Sequence, residues 1–456
     1  MSLLTYSLIK KYLDERFGRI ERALGTPIYG VAWDKSSDPT LVRTDDAVGM
    51  TAGVGVGDEL AINDFDHVPI FGEMHDVVDS YGNVFVRIPK LYIRKTDGPD
   101  LKTWQVSKVR YPGFYLPWCF WDFDRGIELP HIDVGKHLAS LGEGDRLESR
   151  PGTYPLVNTN IVNFRAYAQN NNTGEAQGYQ QLDIHVQDLL RTLMFVEFGT
   201  LNTQSVMRGF VDGEYSDSHV ALVTEADANR IIITESQAGG YRVGQSLGIG
   251  SSRSSNAVVD YRTIVSIEPE GEGTALVFDG DPINVTEGDV VANRGFKTGF
   301  GQGVAASSGS PESNTDGKWP CVYRGIESPY GDIYQFVDGV NINDHQAWVA
   351  RNRDDYASNV FAAPYERLGY ANSDANGYIV ETGSDPEHLY AEFPEAVGGS
   401  SSTYYADYYY QNTGQRIARC GGYWLHGSGA GPSFWRLNVS PSSSRATLGG
   451  RLLKTP

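Results

Sequence analysis

The run Tyr323-Arg324-Gly325-Ile326-Glu327-Ser328-Pro329-Tyr330-Gly331-Asp332-Ile333-Tyr334-Gln335-Phe336-Val337-Asp338-Gly339 opens the part of the chain whose reading decides the fold. From there to the end, Gly, Asn, Ser, Tyr and Trp recur without a long helical period, and Tyr404, Tyr405, Tyr408, Tyr409 and Tyr410 crowd together. Order in such a stretch must come from packing and loop hydrogen bonds, not from propensity. The same chemistry intensifies over 421–452, where large aromatics alternate with Gly, Ser and Asn. Rigid rings give contact area at low entropic cost while the small polar residues adapt their hydrogen bonds, so the cluster reads as a binding surface, with core packing the alternative for any single ring. The candidate ligand-facing residues are Tyr423, Leu425, His426, Ser428, Phe434, Arg436, Leu437, Val439 and Ser442, with Trp424 expected to be buried.

The rest of the chain shares this bias. Its 456 residues are about three times the usual length per domain, and its 52 Gly and 27 Tyr sit beside 40% hydrophobic residues. That composition is loop-rich but supports a core. With 57 acidic against 38 basic residues the net charge is −19, which argues against a non-specific nucleic-acid binder or a binder of anionic membranes, since both need a basic footprint. Cys119, Cys321 and Cys420 are too few and too scattered for a disulfide framework, so reduced thiols are expected. No apolar run is long enough to span a bilayer, and Lys10 and Lys11 interrupt the N-terminal region before a signal-peptide core accumulates. The expectation is a protein made in a cytoplasm and exported, if at all, without a conventional signal.

Periodicity divides the chain. Tyr6, Ile9, Leu13, Phe17, Ile20 and Leu24 follow a heptad-like spacing closed by Gly25 and Pro27, which predicts a helix over 1–25 for oligomerisation or docking. A helix packed on its own domain is the alternative. Short strands are predicted at 83–88 and 90–94, and a second helix over 181–198, with Leu182, Val186, Leu189, Leu190, Leu193 and Val196 on one stripe. From 212 to 300, four apolar runs at 220–224, 230–234, 263–267 and 274–278 predict an all-β module, barrel or sandwich, inserted into a larger domain. The Gly/Ser-rich block 301–318 reads as a loop or linker.

The 323–339 run resembles the core signature of the formylglycine-generating-enzyme branch of C-type lectin folds. Ala418 to Trp424 is similar to that branch's Gly-Gly-Ser-Trp strand, and Leu448 to Leu453 resembles its closing strand. Segments 158–168, 181–185 and 196–207 also resemble phage tail-tip proteins of C-type lectin fold, including the major tropism determinant and other variable proteins of diversity-generating retroelements. In those proteins the region matching 422–452 varies between members. The resemblance implies an α+β chain: a lectin-type domain in two parts, 26–211 and 301–456, around the 212–300 insert. It also implies a homotrimeric virion protein that contacts other tail or baseplate proteins and a host-surface receptor, protein or glycan.

Enzymatic readings find little footing. The paired cysteines of the oxidase branch have no counterpart between Leu425 and Phe434, and Cys420 stands alone. A glycan depolymerase needs two carboxylates roughly 5–10 Å apart; Asp122 with Asp124, Asp338 with Asp344, and Asp354 with Asp355 read instead as turns or solvated faces. Gly244-Gln245-Ser246-Leu247-Gly248 matches a nucleophile elbow in letters, but its flanks lack the strand-to-helix context. Calcium-dependent lectin triplets are missing, so a structural calcium would have to use clusters such as Asn341, Asn343 and Asp344. The expectation is therefore a tail adhesin without catalysis, cofactor, metal, nucleic-acid partner or membrane insertion, with a structural tail or capsid decoration protein as the alternative.

Overall fold

The computed structural model describes residues 25–383 and 391–456. The helix expected over 1–25 falls almost wholly on residues 1–24, outside the described residues.

One helix organises the centre. Asp183 caps it, its Oδ1 accepting the Val186 N–H at 2.9 Å, and Gly199 ends it in the left-handed region at φ 65°, which favours glycine. All fifteen residues of Ile184–Phe198 are buried, because β-structure packs on more than one side of it. On one side lies the antiparallel sheet ordered Val42–Asp45, Ile28–Trp33, Lys102–Ser107, Tyr92–Asp97. On another lie Tyr334–Asn343 and Gly431–Val439 of a nine-stranded sheet. Leu189, Leu193 and Phe195 thus join one apolar core with Val31, Trp104, Val337, Trp435 and Leu437.

The two ends of the chain are interlaced. The closing strand Leu452–Lys454 pairs with both His131–Gly135 and Tyr179–Gln181. Between them, five antiparallel strands run in the order Arg230–Ile233, Gly273–Phe278, Val259–Glu270, Ser246–Gly250, Val290–Arg294. These enclose a separate core of Ile231, Ile233, Leu247, Ile264, Leu276 and Val291.

The α+β lectin-type expectation is overturned. The described residues contain only three helices, of 9, 15 and 4 residues, against thirty-three strands in eight sheets. The chain is mostly β. The physical reason is that a 3.6-residue apolar period is sustained only once in the described residues, in Ile184–Phe198, whereas the Gly-punctuated, Tyr- and β-branched-rich remainder forms short strands.

Candidate functional site

The nine-stranded sheet runs Glu366–Tyr370, Gln346–Val349, Tyr334–Asn343, Gln415–Gly421, Gly431–Val439, Tyr408–Gln411, Gly377–Gly383, Phe393–Val397, and Leu448–Gly449 adds in parallel beside Tyr334. Strand alternation sorts its side chains. Trp435 and Leu437 point into the central core, where Trp435 meets Phe393 with ring centroids 4.9 Å apart. Phe434, Arg436 and Asn438 take the other face. There the register sets Arg419 opposite Arg436 on one side and Tyr410 beside Arg436 on the other. The helix Ile161–Gln169 covers part of this face, Phe164 lying 5.6 Å from Phe336. Beyond it, Tyr378, Tyr408, Tyr410 and Tyr423 stand half-buried.

Their rings form a continuous cluster. Tyr378 meets Tyr408 edge-on at 5.1 Å, Tyr408 lies 4.6 Å from Tyr410, and Tyr423 stacks on Tyr334 at 4.9 Å. Tyr215, just before the inserted sheet, closes the edge against Tyr423 and Trp424. Gly421 and Gly422, both near φ 83°, turn the chain out of its strand so that Tyr423 and His426 fold back over the sheet. A Cβ on Gly422 would also come within 2.8 Å of Ala430.

His426 sits at the middle of the cluster, 4.6 Å from Tyr423 and 4.7 Å from Phe434. Burial, reinforced by Arg436 and Arg419, pushes its imidazole down to about 3, so it is neutral at neutral pH. Its Nδ1 accepts the Tyr423 N–H at 3.2 Å, which places the proton on Nε2, 3.0 Å from the Tyr334 hydroxyl. The Arg436 guanidinium donates to the same hydroxyl and lies 4.5 Å from the Tyr410 ring centroid. Arg419 lies 4.6 Å from the Tyr334 ring centroid. Burial lowers the Arg419 guanidinium to about 9; the Tyr334 phenol works against the shift, and Arg436 and Arg445 add to it.

Of the residues singled out in the sequence, Tyr423, His426, Ser428 and Arg436 come together here, Ser428 through a 3.2 Å contact with the Tyr378 hydroxyl. Leu425 is 44% exposed on the same loop, and Ser442 is exposed in the serine turn beyond the sheet. Phe434, Leu437 and Val439 are corrected: all three are buried. Phe434 underlies Tyr334, Tyr410 and His426, Leu437 faces the central core, and Val439 packs with Ile417 and Phe336. Tyr334, Tyr378, Tyr408, Tyr410 and Arg419 were missed. The tyrosine run carried a signal for two of them, since alternation sends Tyr409 inward and Tyr408 and Tyr410 outward.

Other chemistries are poorly placed. Cys119, Cys321 and Cys420 are buried thiols, and burial pushes Cys321 and Cys420 up to about 12, far from a reactive thiolate. Ser246 is buried within a strand paired on both sides, which is no nucleophile elbow. A surface cleft of about 420 Å³ gathers Asp122, Asp124 and Asp354. Burial would raise the Asp122 carboxyl, but hydrogen bonds from Arg125 hold it below its ordinary value, the wrong direction for a general acid. Asp338 is bound by both nitrogens of the Arg165 fork, and Asp344 accepts the Gly414 N–H at 2.6 Å. Asn341 spends its amide on the Ala357 and Val360 carbonyls. Among the described residues no three His, Cys, Asp or Glu side chains converge to hold a metal.

No protein-family model matches the chain, and no curated protein matches it.

Proposed function

We propose that this chain is a non-catalytic recognition protein, a phage tail adhesin that adsorbs the particle to a host-surface receptor through the Tyr378, Tyr408, Tyr410 and Tyr423 face. The observation that carries the reading is this row of half-buried tyrosines on a rigid sheet, bordered by a Gly- and Ser-rich loop. Rings anchored from below keep their area without losing much entropy on binding. The likeness of 158–168, 181–185 and 196–207 to phage tail-tip proteins supplies the setting. Several copies per particle would raise apparent affinity through effective concentration, so each site can be weak.

Replacing all four tyrosines by Ala in particles is the test. Normal assembly with adsorption reduced by about tenfold or more is expected, the scale of one or two lost aromatic anchors. Unchanged adsorption overturns the reading, and failure to incorporate the variant chain moves the face to tail assembly.

A further inference from the structure

Five arginines are buried among the described residues; three are paired with a carboxylate and a fourth has its guanidinium hydrogen-bonded throughout. Arg191 pairs with Asp188 at 2.6 Å, Arg294 with Asp260 at 2.5 Å and Arg324 with Glu197 at 2.7 Å. Arg451 donates to the carbonyls of Gly135, Lys136, Glu327 and Ser328 and to the Gln335 amide oxygen. Arg419 differs. It is 1% exposed, its Nη2 reaches only the Asn438 amide oxygen at 2.8 Å, and its Nε has no partner. Arg436, directly opposite in the register, takes the same Asn438 oxygen at 3.2 Å. Neither guanidinium has a carboxylate within ion-pair distance among the described residues, although the chain carries 57 acids.

Like charges set opposite each other across strands are destabilising, and a desolvated, half-satisfied cation more so. An acid at either neighbouring position would have relieved both. Local rules broken without a local gain mark a site whose compensation comes from outside the chain.

We infer that Arg436, backed by Arg419, receives the carboxylate of an acidic sugar whose ring lies on Tyr410 and its neighbours. The inference rests on the receptor-binding reading above and names the class of receptor, an acidic glycan. The planar guanidinium fork matches a carboxylate. The fork lies over one face of Tyr410, 4.5 Å from its centroid, and Tyr408, 4.6 Å further on, is half-buried, so the tyrosine row beside the fork is the apolar surface for the C–H side of a pyranose. The net charge of −19 repels a densely charged polymer such as a nucleic acid far more than a singly charged sugar.

The test uses the full chain on immobilised disaccharides ending in glucuronate, in the uncharged glucuronamide, or in glucose, with inorganic phosphate as a soluble competitor. Binding to the glucuronate form is expected to exceed the amide by about tenfold or more and to fall by a similar factor in Arg436→Gln, as for loss of a charge-assisted pair. Arg436→Lys, which keeps the charge without the fork, should recover part of it, and it carries the test if the Gln variant misfolds. Equal binding to acid and amide, or an unchanged Arg436→Gln, overturns the inference. So does displacement by phosphate at the concentration at which free glucuronate competes, because the sugar would then contribute nothing. If no glucuronate binds while the tyrosine variants still lose adsorption, the acidic-sugar inference fails and the adsorption face stands. If the tyrosine variants adsorb normally, the underlying reading fails as well.

Discussion

Arg419 places a desolvated charge beneath the tyrosine face with one amide oxygen and one ring as company. Removing an uncompensated buried charge while keeping its hydrocarbon stem relieves repulsion with Arg436, so Arg419→Met is expected to stabilise the unliganded protein by on the order of 1 kcal/mol. Urea unfolding midpoints measure this, and a lower midpoint would show that the guanidinium's packing on Tyr334 outweighs its charge. The same variant should lose acidic-sugar binding, which separates a functional from a structural arginine. At this scale the sequence was partly legible. Tyr423, His426 and Arg436 could be chosen from one loop and strand, because an aromatic, Gly-rich run is a local signal. Phe434, Leu437 and Val439 could not be assigned, because the phase of strand alternation is set by partners far away. Tyr378 comes from a strand far from 421–452, and Arg419, two residues before 421, stood out only as part of the Ala418 to Trp424 likeness.

The helix Ile184–Phe198 was readable as an element, from its stripe of Leu and Val to its closing Gly199. Its surroundings were not. A one-sided stripe predicts a solvated opposite face, yet Asp188 and Arg191 are buried in a charge network with Lys95, Lys102 and Glu392. Glu392 comes from a distant part of the chain, so nothing local announced it. Burial would raise its carboxyl, but Lys102, Lys95 and Arg191 hold it well below the ordinary range. Glu392→Gln leaves these three cations short of one charge, and a loss of about 3–5 kcal/mol is expected from denaturant unfolding. A loss below about 1 kcal/mol would mean that Asp188, on Lys95 and Arg191, and Asp97, on Lys102, balance the network without it. The run at 220–224 is the converse case. It reads as a strand, but only Val220 makes a bridge, to Val290, while Ala221 and Leu222 donate to the Asp289 and Ile232 carbonyls and lace the insert's edge.

A buried acid, Asp332, sits at the junction between the insert and the tyrosine face. Asp332 accepts the Phe296 N–H at 3.0 Å and the Ser328 hydroxyl at 3.2 Å, and its own carbonyl accepts the Trp424 N–H. Burial pushes its carboxyl from 3.8 up to about 7. The folded state therefore holds the proton through a range where the unfolded chain has released it. Stability from this group is complete below about pH 4 and is lost as pH rises to about 7. Asp332→Asn, which keeps the acceptor, removes that dependence. The difference in thermal midpoint between variant and parent should grow in the variant's favour from pH 4 to 7 and then level off. A difference constant across that range would place an ionised carboxylate at the junction.

At the scale of the whole molecule, two of the cores differ in character. The core around Ile184–Phe198 draws on residues from Tyr29 to Leu453, and its strands pair across great sequence distances, as Gln181 does with Leu452. Such partners cannot be read from local pattern, which is why the mostly-β architecture was misjudged. The insert's core is assembled between Ala221 and Val291, and its strands pair with near neighbours, which is why three of its four apolar runs were legible as strands. The two cores should therefore fail separately. Leu276→Ala, at a fully buried site of the insert, is expected to cost about 2–5 kcal/mol. That cost should fall on one cooperative unit and spare the other. Amide hydrogen exchange is the measurement: protection in Gly273–Phe278 and Val259–Glu270 should drop while that of Tyr334–Asn343 holds. Equal acceleration in both would show a single cooperative body. Because Tyr215 packs on Tyr423 and Arg253 lies over Tyr215, loosening the insert should also free one edge of the tyrosine face. Ligand binding should then weaken in step with the insert's exchange, not with global unfolding.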